Sequence, residues 1–462
     1  MAAVGTTLLV ASGTVAMSMA WAIGAQDVSN ALGTSVGSKA LTVSQAIVVG
    51  AVMEFLGSLV GGDVAATISG GILSMDSFED GGVSGMAMYA HCMFCTMAGA
   101  SMWLAVATYY SLPVSTTHSL VGALIGVGVM ARGVGGIQWA NVGRIVSSWI
   151  TSPMLGGIIA YAIFSGIHTS ILTATDPTAA AKRVTPVYTA ATAGVLVSFL
   201  CLSGPSQWRL GSTAASALGV AVAAAVLAMM RSGLVGGGVA EGEDVLPQTA
   251  PHGGDTSDSG SADGGGDAAA SAGADAGKEA DADGKLDGDR TQRSPAERSF
   301  TTLMIVTACV VSFAHGSNDV SNSIGPFNAL YEIYAHGRIR PGAPVPLWVL
   351  VAGGTGIVVG LGTYGHKVMA TVGQKIARLT FSRGYAAQIG TALTVLTATQ
   401  LGVSVSTTHC LIGAISGVAL VEGRDKLNTA TLKRIVVSWV VTIPAAAAFT
   451  VLLYGVLPIG LA

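Results

Sequence analysis

Residues Gln26-Asp27-Val28-Ser29-Asn30-Ala31-Leu32-Gly33 set a carboxylate and two amides into an otherwise apolar run. Near the other end of the chain, Asn318-Asp319-Val320-Ser321-Asn322-Ser323-Ile324-Gly325 nearly repeats them. An ionisable group at membrane depth is expensive and by default marks a functional site. Two such groups in matched contexts constrain the whole fold, because every other element has to bury or serve them.

The chain around them is that of an integral membrane protein. Of its 462 residues 51% are hydrophobic and only 10% charged, and the mean hydropathy is +0.63; soluble domains carry about 25% charged residues. The 63 glycines suit helices packed closely in lipid. Ten-residue alternating segments are absent, which argues against a β-barrel. No basic n-region precedes the first apolar run, so that run is expected to stay in the mature chain. The CxxC formed by Cys92 and Cys95 lacks a redox or metal context and reads as two buried thiols.

Twelve apolar runs approach the length of about 20 residues that crosses a bilayer. The first extends from Gly5 to Ala25 and is expected to break at the Asp27 motif. Leu41 to Gly62 carries Glu54 in its interior. Several runs are short or interrupted by glycine, which places the count at 10–12 transmembrane helices. The fold expected is therefore an all-α polytopic bundle. Its parts are a first membrane unit at 1–166, two connecting helices at 167–230, an acidic segment at 231–299 and a second membrane unit at 300–462. Residues 241–299 hold 14 Asp/Glu against 5 Lys/Arg and almost no large apolar side chain, the composition of a disordered loop.

Further echoes link the two units. Val114-Ser115-Thr116-Thr117-His118 returns as Val405-Ser406-Thr407-Thr408-His409, and Arg144 to Trp149 returns as Arg434 to Trp439. Val64 to Ile68 is loosely matched by Val368 to Val372. All come in the same order. Seven crossings before the second unit would set it in the membrane upside down. That predicts inverted-topology repeats, with broken or re-entrant helices and a binding site near the midplane.

Ser and Thr cap helix N-termini, which present free N–H groups and a partial positive charge. Each Ser-Thr-Thr run adds hydroxyl donors to those groups, giving a site for a tetrahedral oxyanion that needs no buried Lys or Arg. Asp27 and Asp319 offer oxygens for a hard cation, or a carboxylate that carries a proton. They would also accept the O–H that phosphate keeps at neutral pH and sulfate lacks. Glu54 is a gating or coupling group, or a polar packing residue. His118 and His409 line the site or serve structure, and Arg144 and Arg434 reach the membrane interface. Gly33 to Lys39 lacks the spacing of a phosphate loop, and no nucleotide-binding domain is visible.

With these residues the chain resembles the PiT family of inorganic phosphate transporters, known by a duplicated GANDVANA-like motif and duplicated PxSTTH-like motifs. Here they read Gly24 to Ala31, Gly316 to Ser323, Pro113 to His118 and Ser404 to His409. The resemblance implies a non-enzymatic, cofactor-free symporter of phosphate with Na⁺ or H⁺ in a lipid bilayer. It also implies a homodimer, a cytoplasmic central loop and no nucleic-acid partner. The plasma membrane is the expected location, with an organelle membrane as the second candidate, and an anion channel using the same site is the alternative activity. Family phosphate contacts fall on Ser115, Thr116, Thr117, Ser406, Thr407, Thr408, Asp27 and Asp319. Cation contacts fall on Gln26, Asp27, Asn30, Asn318, Asp319 and Asn322. Gln26 stands where the family has Asn, and Ser404 where the second motif often has Pro.

Overall fold

The computed structural model describes residues 4–110, 112, 114–203, 209–232, 294–340, 342–366 and 379–457. Most of the 231–299 segment, Pro113 and the Val368–Val372 echo lie outside the described residues. The described chain is helical, and its principal elements follow in order. They are α1 (Thr6–Gly37), α2 (Val43–Ser58), α3 (Gly62–Gly71), α4 (Gly82–Tyr109), α5 (Thr116–Arg132), α6 (Trp139–Ile167), α7 (Pro177–Ser203) and α8 (Ser212–Arg231). Past the acidic segment come α9 (Thr301–His336), α10 (Leu347–Gly360), α11 (Phe381–Gln400), α12 (Thr407–Glu422) and α13 (Thr429–Val456). Among the described residues eight helices are long and apolar enough to cross a membrane. Two shorter apolar helices, α2 and α12, accompany them. The protein is an integral, multi-pass membrane protein.

The expected break at the Asp27 motif is absent. α1 runs unbroken through it for 32 residues, and α9 runs for 36 residues through both the Asp319 motif and Pro326. The short polar side chains of the motifs bond within their own helix instead of unwinding it. Ser29 donates to the Gln26 carbonyl, Ser321 to that of Asn318, and Ser323 to that of Val320. Such bonds one turn back leave the backbone ladder intact. Main-chain carbonyls are therefore committed at both aspartates, and side chains must supply the ligands there. Helix interruptions lie instead before the two Ser-Thr-Thr runs, between α4 and α5 and between α11 and α12.

The two units interlock through exchanged contacts. A Cβ on Gly57 of α2 would strike the Phe313 carbonyl of α9, and one on Gly360 of α10 would strike the Trp21 carbonyl of α1. Gly122 of α5 meets Ile443 of α13 in the same way, and Gly413 of α12 meets Pro153 of α6. Each pair is the other with its partners swapped, the pattern of a two-fold relation between the units. Only glycine permits such close approach of two backbones.

α1 and α9, the equivalent helices of the two units, run antiparallel. Thr6 meets Tyr334, Gly13 packs on Phe327, and Asp27 lies beside His315 and Asp319. They cross at the two motifs, which places both aspartates at the centre of the bundle, fully buried.

Candidate functional site

Each Ser-Thr-Thr run opens a helix as its sequence predicts. Ser115 caps α5 by accepting from the His118 N–H, and Ser406 caps α12 by accepting from the His409 N–H, both at 3.3 Å. The capping serines thus spend their oxygens on their own helices. The two N-terminal turns abut: the Thr117 hydroxyl donates to the Val405 carbonyl at 3.3 Å, and the His118 and His409 rings stand 4.5 Å apart. Two positive helix ends therefore meet at one place, facing the aspartates.

Two further side-chain contacts cross between units, and others join residues of the same unit. Asn30 of α1 donates to the Thr408 hydroxyl of α12 at 2.7 Å and to Asp27 Oδ1 at 2.9 Å. Asn322 of α9 reaches the Thr116 hydroxyl of α5 at 3.4 Å. Thr407 donates to Asp319 Oδ2 at 3.0 Å. Asp27 Oδ2 and Asn322 Oδ1 are buried and, among the described residues, have no hydrogen-bond partner. A buried acceptor without a donor is costly, and two at one centre mark where a cation or a donor-bearing ligand would sit.

One member of the centre escaped sequence reasoning. His315, one turn before Asp319 on α9, places Nε2 2.9 Å from Asp319 Oδ2 and Nδ1 3.3 Å from Glu54 Oε1. Ligand atoms of Asp27, His315 and Asp319 all lie within 4.8 Å of one another. Glu54 thereby joins the site through His315. The available signal was the i,i+4 spacing of His315 to Asp319 directly before Gly316. It is invisible in the repeat, because the equivalent residue in the first unit is Ile23. Ile357 likewise stands where the two-fold relation would put Glu54: Gly24 packs on Ile357 as Gly316 packs on Glu54. The contact of α2 with α9 thus holds a buried acid–imidazole pair, Glu54 and His315, where the two-fold-related contact of α10 with α1 holds Ile357 and Ile23 in the apolar core.

Gln26, the first position of the first motif, faces elsewhere. Gln26 accepts from the Thr108 hydroxyl at 2.9 Å and donates to the Leu112 carbonyl, tying α1 to the strap that leads into Ser115. Asn318 is its equivalent, against Thr399. With its amide turned as Gln26's is, it accepts from Thr399 at 3.2 Å and donates to the Val405 carbonyl at 3.1 Å and to Asp319 Oδ1 at 3.0 Å. Gln26 and Asn318 thus each tie a motif helix to the strap ahead of a Ser-Thr-Thr run, Gln26 through the Leu112 carbonyl and Asn318 through that of Val405. The Nδ1 atoms of His118 and His409 lie 3.4 Å from the Trp439 carbonyl and 3.1 Å from the Trp149 carbonyl, another exchanged pair.

A helical bundle that converges two helix N-termini on two buried carboxylates between duplicated units has the plan of a membrane transporter for an anion. The chain belongs to the phosphate transporter family, whose pattern it matches over residues 23–450. It is 37% identical over 439 residues to the chloroplastic inorganic phosphate transporter 2-1 of Arabidopsis thaliana, covering 94% of this chain and 69% of that one. It is 34% identical over 443 residues to a protein named as a phosphate permease in Pyrococcus furiosus, covering 95% and 93% of the two chains. A solved structure of a sodium-dependent phosphate transporter superposes with a TM-score of 0.79 at 31% identity, over 98% of this chain and 99% of that one. These relatives are transporters and permeases, not enzymes.

Proposed function

We propose that this protein is a cation-coupled phosphate symporter that works by alternating access around the site between α1, α5, α9 and α12. The observation that carries the reading is the crossing of the two motif helices with the two Ser-Thr-Thr helix ends. Phosphate oxygens take the free N–H groups of the first turns of α5 and α12 and the hydroxyls of Thr116, Thr407 and Thr408. The phosphate O–H is accepted by a motif aspartate, which disfavours the proton-free sulfate ion. Asp27 and Asp319, with Asn30 and Asn322, hold the co-transported cation, which offsets the negative charge of phosphate and carboxylates together. The sodium dependence of the structural relative supports Na⁺ in this role, and the carboxylates suit a proton as well. The antiparallel run of α1 and α9 supports inversion of the two units in the membrane. Rocking one unit against the other would then expose the central site to each side in turn.

The test is radiolabelled phosphate uptake into proteoliposomes, with Na⁺ and pH gradients imposed separately. Uptake should follow one gradient and cease when both are collapsed. Uptake that persists without either gradient would overturn symport in favour of a channel, which requires weak multi-site binding along a continuous path.

A further inference from the structure

The surroundings of the central site are unequal on its two sides. Toward the side on which α9 begins, a narrow closed cleft, too tight to admit a water molecule, adjoins Asn30 and Thr407. Its walls are Ala31 on α1, Val311 on α9, and Ala392 and Val395 on α11. One turn further out, the same three helices are joined by one amide. Gln388 of α11 donates to the Thr34 and Ser35 hydroxyls of α1 at 2.8 and 2.7 Å, and accepts from the Thr307 hydroxyl of α9 at 2.6 Å. All four residues are buried. At 1.5 Å per residue, Thr307 lies roughly 9 Å inside the start of α9 and roughly 18 Å from Asp319.

On the opposite side the two-fold equivalents of the latch residues are apolar, while Ser101 and Ser323 stand where Ala392 and Ala31 wall the cleft. Met97 replaces Gln388, Val15 replaces Thr307, and Phe327 replaces Ser35. Met19 and Leu104 stand where Val311 and Val395 wall the cleft. These larger side chains fill the space and belong to a single apolar cluster.

We propose that Gln388 is the latch of the gate on the side where α9 begins, closing the phosphate path by holding α11 to α1 and α9. The proposal rests on the transporter reading and adds where the path runs and what shuts it. Opening here exchanges three protein hydrogen bonds for bonds to water, and leaves an amide and three hydroxyls lining the path of an anion. Opening on the other side exposes packed apolar surface, for which water offers no such compensation. The latch side is therefore the one that opens more readily, and the apolar seal holds until the site is filled.

The experiment compares two cysteines at equivalent positions in the purified full-length protein. Ala392→Cys reports the cleft, and Ser101→Cys reports the apolar side. Each is reacted with a charged thiol reagent in detergent, where both faces are accessible, against the background of the five native cysteines. Adding Gln388→Ala should speed the reaction of Ala392→Cys by roughly tenfold as the open population grows, and leave Ser101→Cys unchanged. Equal rates at Ala392→Cys with and without Gln388→Ala overturn the latch, as does acceleration at both cysteines, which signals general loosening. If Gln388→Ala fails to fold, Thr307→Val with Thr34→Val and Ser35→Ala removes the same three bonds and is read by the same criteria. Phosphate uptake by the unmodified protein is measured alongside: its absence refutes the transporter reading, whereas normal uptake with unchanged Ala392→Cys rates refutes the gate alone.

Discussion

Asn30 donates to the hydroxyl of Thr408 at 2.7 Å, joining the motif helix of one unit to the Ser-Thr-Thr helix of the other. The same amide nitrogen also donates to Asp27 at 2.9 Å. It thereby holds the carboxylate and the helix end at a fixed separation while leaving Asp27 Oδ2 without a donor. This polar centre is thus assembled from both units at once.

That arrangement makes the two aspartates non-redundant. Asp27→Asn and Asp319→Asn are each expected to abolish most phosphate uptake while the protein still reaches the membrane. Asparagine keeps the shape but loses the charge that offsets a cation. Uptake by purified variants in proteoliposomes, with folding followed by size-exclusion profile, provides the check; wild-type uptake in both would remove the aspartates from the site.

The Thr116 hydroxyl approaches Asn322 and that of Thr407 donates to Asp319. Thr116→Val and Thr407→Val preserve shape and remove one hydroxyl each. A buried hydrogen bond lost in this way costs roughly 1–3 kcal/mol. With 1.4 kcal/mol corresponding to a factor of ten, phosphate KM should rise by about tenfold or more in each variant. Capping Ser115→Ala should instead lower thermal stability, by about 1 kcal/mol, with a smaller change in KM.

Most of this organisation was legible in the chain. The duplicated motifs announced the two units, and the caps at Ser115 and Ser406 followed from residue type alone. Two features were not legible. A carboxylate and amides inside an apolar run suggested a helix break, yet Ser29, Asn30 and Ser321 close bonds within one helical turn and leave α1 and α9 straight through the motif. His315 was hidden because repeat comparison finds what two halves share, and this residue is what they do not share. Its significance appears only when α2 brings Glu54 against it across a distance that sequence does not encode.

The isoleucine equivalents of that pair supply a test of its energetics. His315→Ile or Glu54→Ile alone leaves one buried polar partner uncompensated, which costs roughly 1–3 kcal/mol. Both changes together recreate the Ile23 and Ile357 pair of the two-fold-related contact between α1 and α10. The double variant is expected to be more thermally stable in detergent than either single variant, though inactive or weakly active in uptake. A double variant whose loss equals the sum of the single losses would show that Glu54 and His315 are not a compensating pair.

Gln26 separates two roles for the first motif position. Its amide spans Thr108 and the Leu112 carbonyl, and so fixes the strap that delivers Ser115 and Thr116. Gln26→Asn shortens that reach by one methylene, and one of the two bonds should be lost. The strap then holds the α5 N-terminus less firmly, which should raise phosphate KM severalfold while the dependence of uptake on cation concentration stays the same. Thr108→Val removes the other end of the same tie and should reproduce the effect. A cation ligand at this position would behave in the opposite way, shifting the cation dependence first and leaving Thr108→Val near wild type. Uptake measured as a two-dimensional titration of phosphate and cation in the three proteins therefore assigns Gln26 either to the strap or to the cation site.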